Sequence, residues 1–343
     1  MLAAAARHKA PPLNAVVIDA NENPLGPGQA ARNAMAAILP QGGRYLDNLT
    51  DELVQTFSTM EGLNPEFVQA TVGSTPALAH SVLAFTSPQK SYVTADPGFE
   101  LGMMMAEQNG ARQVKVPLTS THAHDVRAML SAAPDAGVFY ICNPNNPTGT
   151  MTPHSDIEYL LSNKPKDSIV LVDEAYIHFT DSPSALDLVK AGKDVIVLRT
   201  FSKAYGMAGI RCGLIIARPD LLEKAMSRGG WNFMPVTALA AAIASLKDPG
   251  LVPERRRANA SVRQQTFQFL DRNGFTYIPS ESNCFMVETK RPGKDIREAM
   301  AKENVMIGRT WPIMPNWVRI TVGTQPEMDQ FQTAFLKVMR SGG

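Results

Sequence analysis

The sequence contains little that would indicate a metal centre. Its only three cysteines, Cys142, Cys212 and Cys284, do not have the spacing of metal ligands. All three fall in or beside apolar, strand-like runs, so we interpret them as small core residues. His122 and His124 stand two positions apart, but no nearby cysteine or carboxylate pattern completes a zinc ligand set. We therefore assign no metal.

An excess of charge and a long hydrophobic run are also missing. Thirty-three Lys and Arg balance 32 Asp and Glu, a formal net charge of +1, which gives no reason to expect nucleic acid or a membrane surface as a partner. No apolar stretch approaches the length of a membrane span, and none has the flanks of an intact secretory signal. Residues 1–7 are alanine-rich, as in the remnant of a trimmed leader. We expect a cytoplasmic protein and leave export open.

The chain has ample material for a core, with 44% hydrophobic and 19% charged residues over 343 positions. This length exceeds the size at which one core stops growing, so we expect two domains. Strand-like runs near 70–72, 90–94, 114–117, 137–142, 169–172, 195–199 and 212–217 alternate with helical patterns. This alternation predicts an α/β fold with a mostly parallel, roughly seven-stranded sheet covered by helices. We place a large domain at 31–235 and a smaller, discontinuous α+β domain at 1–30 and 236–343.

Lys203 follows the apolar, β-branched run 195–198, which is typical of a buried strand in a parallel sheet. The carboxyl ends of such strands are where α/β proteins bind ligands. A lysine partly removed from water there can act as a neutral nucleophile towards an aldehyde. The hydroxyls of Thr200 and Ser202 and the guanidinium of Arg211 suit a phosphate. An aldehyde that carries a phosphate is pyridoxal 5′-phosphate (PLP).

Two further strand ends supply groups that suit the other PLP atoms. Run 169–172 leads into Asp173, and a buried carboxylate keeps a ring nitrogen protonated by raising its pKa. Run 138–142 leads into the segment that contains Asn146, and Tyr176 follows Asp173 by three positions. An asparagine amide and a tyrosine hydroxyl are neutral donors for the phenolic oxygen of the ring. The sequence thus predicts a PLP site formed by three strand ends.

Six segments in this order resemble the fold-type I PLP-dependent aminotransferases, and more closely the histidinol-phosphate aminotransferase family. The segments are Asn21-Glu22-Asn23-Pro24-Leu25-Gly26-Pro27, Asn145-Asn146-Pro147-Thr148-Gly149, Val172-Asp173-Glu174-Ala175-Tyr176, Arg199-Thr200-Phe201-Ser202-Lys203-Ala204, Gly209-Ile210-Arg211-Cys212-Gly213 and Val318-Arg319-Ile320-Thr321-Val322-Gly323. They span nearly the whole chain. Asn-Pro-Thr-Gly alone is a weak motif, because these residues mark turns in any fold.

The resemblance implies a PLP cofactor bound as a Schiff base to Lys203, which then moves the proton at the substrate α-carbon. It places the phosphate at Gly73-Ser74-Thr75, where a helix begins; an ordinary helix cap suits Ser74 and Thr75 equally well. It places Phe99 over the ring face, where a phenylalanine buried under a loop is the alternative. It implies a homodimer in which Tyr45 reaches the neighbouring active site, and the alternative is a surface tyrosine.

For substrates, the resemblance implies an amino donor and a 2-oxo acid that react in turn, with ping-pong kinetics. It assigns Arg319 to the substrate carboxylate, Asn23 to the same group, and Arg309 to a substrate phosphate, which favours histidinol phosphate. The chain lacks the tyrosine-containing stretch that usually precedes Asn-Glu-Asn-Pro in that family. The loop 310–315 is also unusually apolar, so an aromatic or large aliphatic amino-acid aminotransferase is the alternative.

Two other functional classes use the same scaffold. A PLP-dependent decarboxylase breaks a different bond at the α-carbon, as in phosphothreonine decarboxylase relatives, since the bond perpendicular to the ring is the one that breaks. Arg319 in Val-Arg-Ile-Thr-Val-Gly favours transamination. A non-catalytic regulator on this scaffold carries an added DNA-binding module, for which the two assigned domains leave no room.

Overall fold

A computed structural model describes residue 12, residues 14–229 and residues 233–341 of the protein. In chain order the strands of this part are β1 (Val16–Ile18), β2 (Val68–Thr71), β3 (Ser91–Asp96), β4 (Gln113–Pro117), β5 (Ala136–Cys142), β6 (Ile169–Asp173), β7 (Val195–Thr200), β8 (Gly213–Ile216), β9 (Tyr277–Ile278), β10 (Cys284–Glu288), β11 (Val305–Ile307) and β12 (Trp317–Thr321). The helices are α1 (Gln29–Ile38), α2 (Asn48–Glu61), α3 (Ser74–Phe85), α4 (Leu101–Gln108), α5 (Val126–Ala132), α6 (His154–Asn163), α7 (Leu186–Lys190), α8 (Pro219–Met226), α9 (Val236–Leu246), α10 (Leu251–Arg272), α11 (Gly293–Lys302) and α12 (Gln325–Arg340). Short 3₁₀ helices occur at Leu39–Gln41, Pro65–Phe67 and Ile177–Phe179.

Seven strands form the main sheet, in the order β2-β8-β7-β6-β5-β3-β4. β8 is antiparallel to both of its neighbours, and the pairs from β7 to β4 are parallel. Every residue of β5, β6 and β7 is buried, as expected for strands covered by helices on both faces. The predicted α/β class with a mostly parallel, seven-stranded sheet is confirmed.

β7 and β8 are neighbours joined by one loop, residues 201–212. Because the two strands are antiparallel and Thr200 pairs with Gly213, both ends of this loop are fixed at the same edge of the sheet. Lys203 lies near its start and Arg211 near its end. The carboxyl ends of β5 and β6 lie at this edge too, since both run parallel to β7. The predicted site residues of three strands are therefore brought together.

The C-terminal part has smaller sheets. β12, β10 and β9 form an antiparallel sheet, and β1 pairs in parallel with β11, so the N-terminal strand lies beside a strand almost 300 positions later. Apolar residues of β1, β10, β11 and β12 share one core with α10, α11 and α12. This packing supports placing residues near 16–18 with the smaller domain. The domain division itself stays a prediction.

Helix α9 lies at the predicted domain boundary. Its residues Ala238, Leu239 and Ala242 belong to the same core as the buried strands of the main sheet, and the helix packs against α1 and α2. This packing joins α9 to the core of the main sheet, and the boundary predicted before Val236 stays a prediction. Among the described residues, no helix has both the length and the apolar character needed to cross a bilayer.

Candidate active site

A cleft of about 580 Å³ opens at the carboxyl ends of β5, β6 and β7. Twelve of the fifteen predicted site residues line it: Ser74, Thr75, Phe99, Asn146, Asp173, Tyr176, Thr200, Ser202, Lys203, Arg211, Arg309 and Arg319. Gly73 immediately precedes this set, at the N-cap of α3. Asn23 and Tyr45 are not among the lining residues. The structure therefore assembles one site from residues spread over more than 240 positions of the chain.

Lys203 is half-buried in this cleft. Its Nζ donates a hydrogen bond of 3.3 Å to the carbonyl oxygen of Ala20 and lies 5.7 Å from the centre of the Tyr176 ring. Burial, together with the positive charge of Arg319, lowers the pKa of Lys203 from 10.5 to about 8. A substantial fraction of this amine is therefore neutral near physiological pH, which is the form that attacks an aldehyde.

Asp173 is buried at the end of β6. Its carboxylate accepts hydrogen bonds from the Tyr140 hydroxyl at 2.9 Å and from the Ala175 backbone N–H at 3.1 Å. Burial raises the pKa of Asp173 to about 6, although both hydrogen bonds and the charge of Lys203 oppose this shift. A cationic ring nitrogen beside the carboxylate would favour its ionised form. Sequence reasoning did not identify Tyr140, which lies inside an apolar strand with no polar neighbour in sequence.

Asn146 and Tyr176 each have one partner that fixes the direction of their remaining donor. The Asn146 Oδ1 accepts from Arg319 Nη1 at 2.9 Å, which leaves the amide N–H groups to donate. The Tyr176 hydroxyl oxygen accepts from Asn21 Nδ2 at 3.1 Å, which leaves its proton to donate. Burial raises the pKa of Tyr176, so the hydroxyl stays protonated. Both residues are thus the neutral donors that a phenolic oxygen needs.

The first turn of α3 and Arg211 form a site for a phosphate. Gly73 has φ = +85°, and a Cβ placed on it would lie 2.2 Å from Arg211 Nη2. The helix that begins at Ser74 presents backbone N–H groups without intrahelical partners, which favour an anion. Arg211 itself has φ = +67° and is held by Ala208 O, at 2.7 Å from Nη1. Only glycine allows the guanidinium to approach the helix start this closely.

Two hydroxyls extend this phosphate site. The Ser202 backbone N–H donates to Thr200 Oγ1 at 3.1 Å, and the Thr200 hydroxyl donates to Ser202 Oγ at 2.9 Å. Arg211 Nη1 also donates to Ser202 Oγ, at 3.3 Å. Because the Ser202 oxygen accepts from both, its own proton is left to donate into the cleft. The guanidinium of Arg211, which donates to Ser202, supplies the positive charge beside these hydroxyls.

Arg319 lies on β12, 7% exposed, at the opposite side of the cleft. Its Nη1 donates to Asn146, and its Nη2 donates to the carbonyl oxygen of Asp19. Its Nε is buried and has no hydrogen-bond partner among the described residues. Buried N–H groups are rarely left unpaired, and a planar guanidinium with a free N–H matches a carboxylate or phosphate oxygen. Arg319 is therefore available to a substrate anion.

Arg309 also lines the cleft, but it has a partner that the sequence did not reveal. It forms an ion pair with Glu100, which precedes α4, and its guanidinium lies 4.6 Å from the centre of the Trp311 ring. Arg319 lies 5.7 Å from the centre of the same ring. Trp311 is buried and fixed by a 3.0 Å hydrogen bond from its Nε1 to Gly98 O. The guanidinium groups of Arg309 and Arg319 thus both lie near the indole ring of Trp311.

The structure does not bring Asn23 or Tyr45 into this cleft. The Asn23 Nδ2 donates to Ala204 O at 3.0 Å, and its Oδ1 accepts from the Leu25 N–H at 3.1 Å, so both ends of the amide are bound to backbone. Asn23 holds the N-terminal segment against the loop that carries Lys203. Tyr45 is 73% exposed and packs on Phe233, with 5.1 Å between ring centres. Its predicted role in a neighbouring site stays a prediction.

Asn21 is the contact residue that sequence reasoning did not select. It is buried with φ = +54°, a conformation that asparagine tolerates better than most residues. Its backbone N–H donates to Thr321 Oγ1 at 2.9 Å, and its Nδ2 fixes the Tyr176 hydroxyl. In the sequence, Asn21 stands out only as part of the Asn-Glu-Asn-Pro segment, and the sequence prediction assigns the binding role to Asn23, the second asparagine of that segment.

These residues fit PLP. The glycine-lined phosphate site, the buried carboxylate at Asp173, the two neutral donors and a lysine of lowered pKa match its phosphate, ring nitrogen, phenolic oxygen and aldehyde. Phe99 is partly buried at the cleft wall, where its ring could contact a bound aromatic ring. The described residues contain no cluster of three or more His, Cys, Asp or Glu that could hold a metal ion.

Comparison with known proteins agrees with this geometry. The family model of aminotransferase class I and II matches residues 14–335. The chain is 33% identical over 338 residues to histidinol-phosphate aminotransferase 1 of Cupriavidus pinatubonensis, covering 95% of this chain and 88% of that protein. It is 33% identical over 323 residues to an aromatic amino acid aminotransferase of Cutibacterium acnes, covering 92% and 90%. The histidinol-phosphate aminotransferase of Sinorhizobium meliloti, solved with pyridoxal 5′-phosphate, superposes with a TM-score of 0.88 at 26% identity over 96% of this chain and 92% of that one. The chain belongs to the aminotransferase class I and II family and is a PLP-dependent transaminase.

Proposed function

We propose that this transaminase takes histidinol phosphate as its amino donor and a 2-oxo acid as its acceptor. The observation that carries the proposal is the pair of guanidinium groups, Arg309 and Arg319, beside Trp311 in the cleft that contains Lys203. A carboxylate needs one planar fork, whereas a phosphate ester carries up to two negative charges on three oxygens and matches two. In histidinol phosphate the ester extends from the carbon beside the amine-bearing carbon, where an amino acid has its carboxylate. The relatives named for this substrate support the same choice.

Different residues of the chain have different roles in the proposed reaction. PLP, when bound, withdraws electrons from the substrate α-carbon so that its proton becomes acidic. The Lys203 amine removes this proton and returns it, as its pKa of about 8 allows it to accept and donate near neutral pH. Asp173 would accept a hydrogen bond from the ring nitrogen of bound PLP, and Asn146 and Tyr176 would donate to its phenolic oxygen.

Arg319 orients the substrate. Because its Nη1 and Nη2 are held by Asn146 and by Asp19 O, the unpaired Nε is fixed in direction before any ligand arrives. An anion bound there would restrict rotation about the substrate α-carbon, and the bond from this carbon to its hydrogen would then be held in the orientation that its cleavage needs. The donor and acceptor both need this arginine, so they occupy the cleft in turn. Ping-pong kinetics follow.

An aromatic amino-acid donor is the second candidate. The observation in its favour is the ion pair of Arg309 with Glu100, which neutralises one of the two guanidinium groups beside Trp311. With Arg309 occupied, Arg319 alone would bind a carboxylate, and Phe99 would provide a ring surface for an aromatic side chain. The aromatic amino acid aminotransferase among the relatives supports this alternative. A phosphorylated donor would have to displace Glu100 from Arg309.

Two further properties belong to the proposal. The first is a homodimer in which Tyr45 contacts the neighbouring site; the adjacent Tyr45 and Phe233, exposed by 73% and 56%, offer an aromatic surface for a second subunit. The second is a cytoplasmic location, in keeping with the bacterial relatives.

The donor is tested by following the change in cofactor absorbance on mixing the holoenzyme with histidinol phosphate, phenylalanine, histidine or glutamate. For wild type we expect histidinol phosphate to give the largest second-order rate constant. Arg309→Ala should lower it about ten- to a hundredfold, since charge-assisted hydrogen bonds contribute about 1.5–3 kcal/mol, and should change the phenylalanine rate much less. Glu100→Gln, which frees Arg309, is the matched variant and should not lower the histidinol phosphate rate.

An unchanged histidinol phosphate rate in Arg309→Ala would remove the proposed phosphate contact. Preference for phenylalanine in wild type, with equal losses for both donors in Arg309→Ala, would establish the second candidate in its place.

A further inference from the structure

A second cavity, of about 200 Å³, lies beside the catalytic cleft. It is lined by residues 22–25 of the N-terminal segment, by α10 and by residues 322–325 at the start of α12, and it opens to the surface. Glu22 lines both this cavity and the catalytic cleft. At about 30 Å³ per water in the liquid, the volume equals roughly seven waters, which is the size of a small organic molecule. None of the functions assigned above uses this cavity.

Arg255 of α10 is the cation of the cavity. It is 7% exposed, and its Nε is buried without a hydrogen-bond partner among the described residues. A buried guanidinium normally has an anion or a full set of acceptors, because burying an unpaired charge is costly. The next residue, Arg256, has such partners in His178 O and Asp181. Arg255 thus lines the cavity and carries a buried donor that none of the described residues satisfies.

Two residues that line the same cavity have buried amide oxygens without hydrogen-bond partners among the described residues. Asn283 is 2% exposed, and its Nδ2 donates to the carbonyl oxygens of Asn21 and Glu22, at 3.1 and 3.4 Å. Since both of these partners are acceptors, the amide cannot be turned over, and its unpaired Oδ1 is an acceptor that needs a donor. Gln325 is fixed in the same way, because its Nε2 donates to Asp329 at 2.7 Å and its buried Oε1 is unpaired.

The unpaired groups define the chemistry of the missing partner. Arg255 can donate to an anion, and Asn283 and Gln325 can accept from N–H donors. Leu25, Phe179 and Val262 supply apolar wall, and the carboxylate of Glu22 also lines the cavity, where it can pair with a ligand cation. We propose that this cavity is a binding site for a free α-amino acid with an apolar side chain. Its carboxylate accepts from Arg255, its ammonium donates to the two amide oxygens, and its side chain contacts the apolar wall.

The cavity is connected to the catalytic cleft by two hydrogen bonds. Asn283 donates to the backbone oxygen of Asn21, and the side chain of Asn21 donates to the Tyr176 hydroxyl. A ligand that fixes Asn283 therefore acts on the residue that positions one of the cofactor donors. The site does not depend on which amino donor the enzyme uses.

The test must separate this cavity from the catalytic cleft, which also takes amino acids. Holoenzyme reduced with borohydride, in which the cofactor is fixed to Lys203 and can no longer exchange with an amine, is titrated calorimetrically with L-valine, L-leucine and L-phenylalanine. We expect saturable binding of at least one of them, with one site per chain. 4-Methylpentanoate and leucinamide, which lack the ammonium and the carboxylate of leucine, should each bind at least tenfold more weakly than leucine.

Three variants locate the binding. Arg255→Gln, and Ala258→Leu, which fills the cavity without a change of charge, should each weaken binding at least tenfold. Arg257→Gln, an exposed position on the same helix, is the matched control and should bind like wild type. The cofactor absorbance and thermal midpoint of each reduced protein show whether it is folded.

Absence of saturable binding by all three amino acids would overturn the proposal and leave a water-filled cavity. So would binding that is unchanged in both folded Arg255→Gln and folded Ala258→Leu.

Discussion

The two sides of the catalytic cleft are built in different ways. On the cofactor side, Lys203 and Arg211 belong to one loop between paired strands, and Asp173 ends the next strand of the same sheet. On the substrate side, Arg319 bonds to Asp19 O and Asn21 bonds to Thr321, contacts between residues 300 positions apart. The cofactor side is thus fixed by strand register, whereas the substrate side exists only after the two ends of the chain have come together.

The largest loss of activity should come from replacing Lys203, the central residue of the cofactor side. In Lys203→Ala we expect no absorbance band that borohydride shifts irreversibly, and transamination reduced by at least roughly a thousandfold, because both the covalent attachment and the proton carrier are lost. Lys247→Ala, on the surface, is the control. A reducible band retained in Lys203→Ala would show that another amine holds the cofactor.

Gly73→Ala should damage the cofactor side while leaving the substrate side in place. The new methyl would meet Arg211 Nη2 at 2.2 Å, so the guanidinium must move from the phosphate site. We expect PLP affinity of the apoprotein to fall about ten- to a hundredfold, the loss of one charge-assisted hydrogen bond. Gly110→Ala is the matched control. Gly110 also has a positive φ, +69°, but a Cβ there would meet only Pro88, at 3.4 Å, so this variant should bind PLP like wild type. Equal losses in both variants would assign the effect to general backbone strain.

The pH dependence of PLP capture measures how one side acts on the other. The neutral Lys203 amine is required, and its pKa is lowered to about 8, so the capture rate of the apoprotein should rise about tenfold from pH 7 to pH 9. The charge of Arg319 contributes to this lowering, and in Arg319→Gln the midpoint should move to higher pH. Stopped-flow absorbance gives both profiles. A midpoint near 10.5 in wild type would mean that Lys203 is fully solvated in solution.

The smallest effect is expected where the two sides meet. Asn21→Ala removes the donor that holds the Tyr176 hydroxyl, and kcat should fall roughly three- to tenfold, as for one neutral hydrogen bond. Asn23→Ala is the matched control, since its amide contacts only backbone, and should lower thermal stability more than kcat. If Asn23→Ala lowers kcat more than Asn21→Ala does, the role predicted for Asn23 from the sequence would be restored.

The same contrast explains what the sequence could predict. Strands of the main sheet were placed within about two residues, because β-branched apolar runs such as 195–198 have few alternatives to a buried strand. Asp173 and Lys203 could then be predicted as site residues, because they follow the carboxyl ends of these runs. In parallel strands these ends lie at one edge of the sheet. The resemblance to a family added Arg319, whose local sequence alone does not show that it enters the cleft.

The features that the sequence did not reveal depend on tertiary contacts. Glu100 lies 209 positions from Arg309, and no local pattern connects an acid before α4 with an arginine after β11. The two asparagines of Asn-Glu-Asn-Pro are equivalent by composition. Only the backbone conformation at Asn21, with positive φ, turns that side chain to Tyr176 and leaves Asn23 on the loop. The packing of α9 on α1 likewise cannot be read from its apolar sequence.

The single loop between β7 and β8 has a consequence for engineering. Lys203, proposed to capture the cofactor, and Arg211, proposed to hold its phosphate, lie near the two ends of one hairpin connection, residues 201–212, closed by the pairing of Thr200 with Gly213. Their separation is therefore set by the loop and cannot be adjusted by moving one element against another. A circular permutant opened inside this connection would lose that constraint, and a transplant of the cofactor site to another scaffold must carry both strands as one unit.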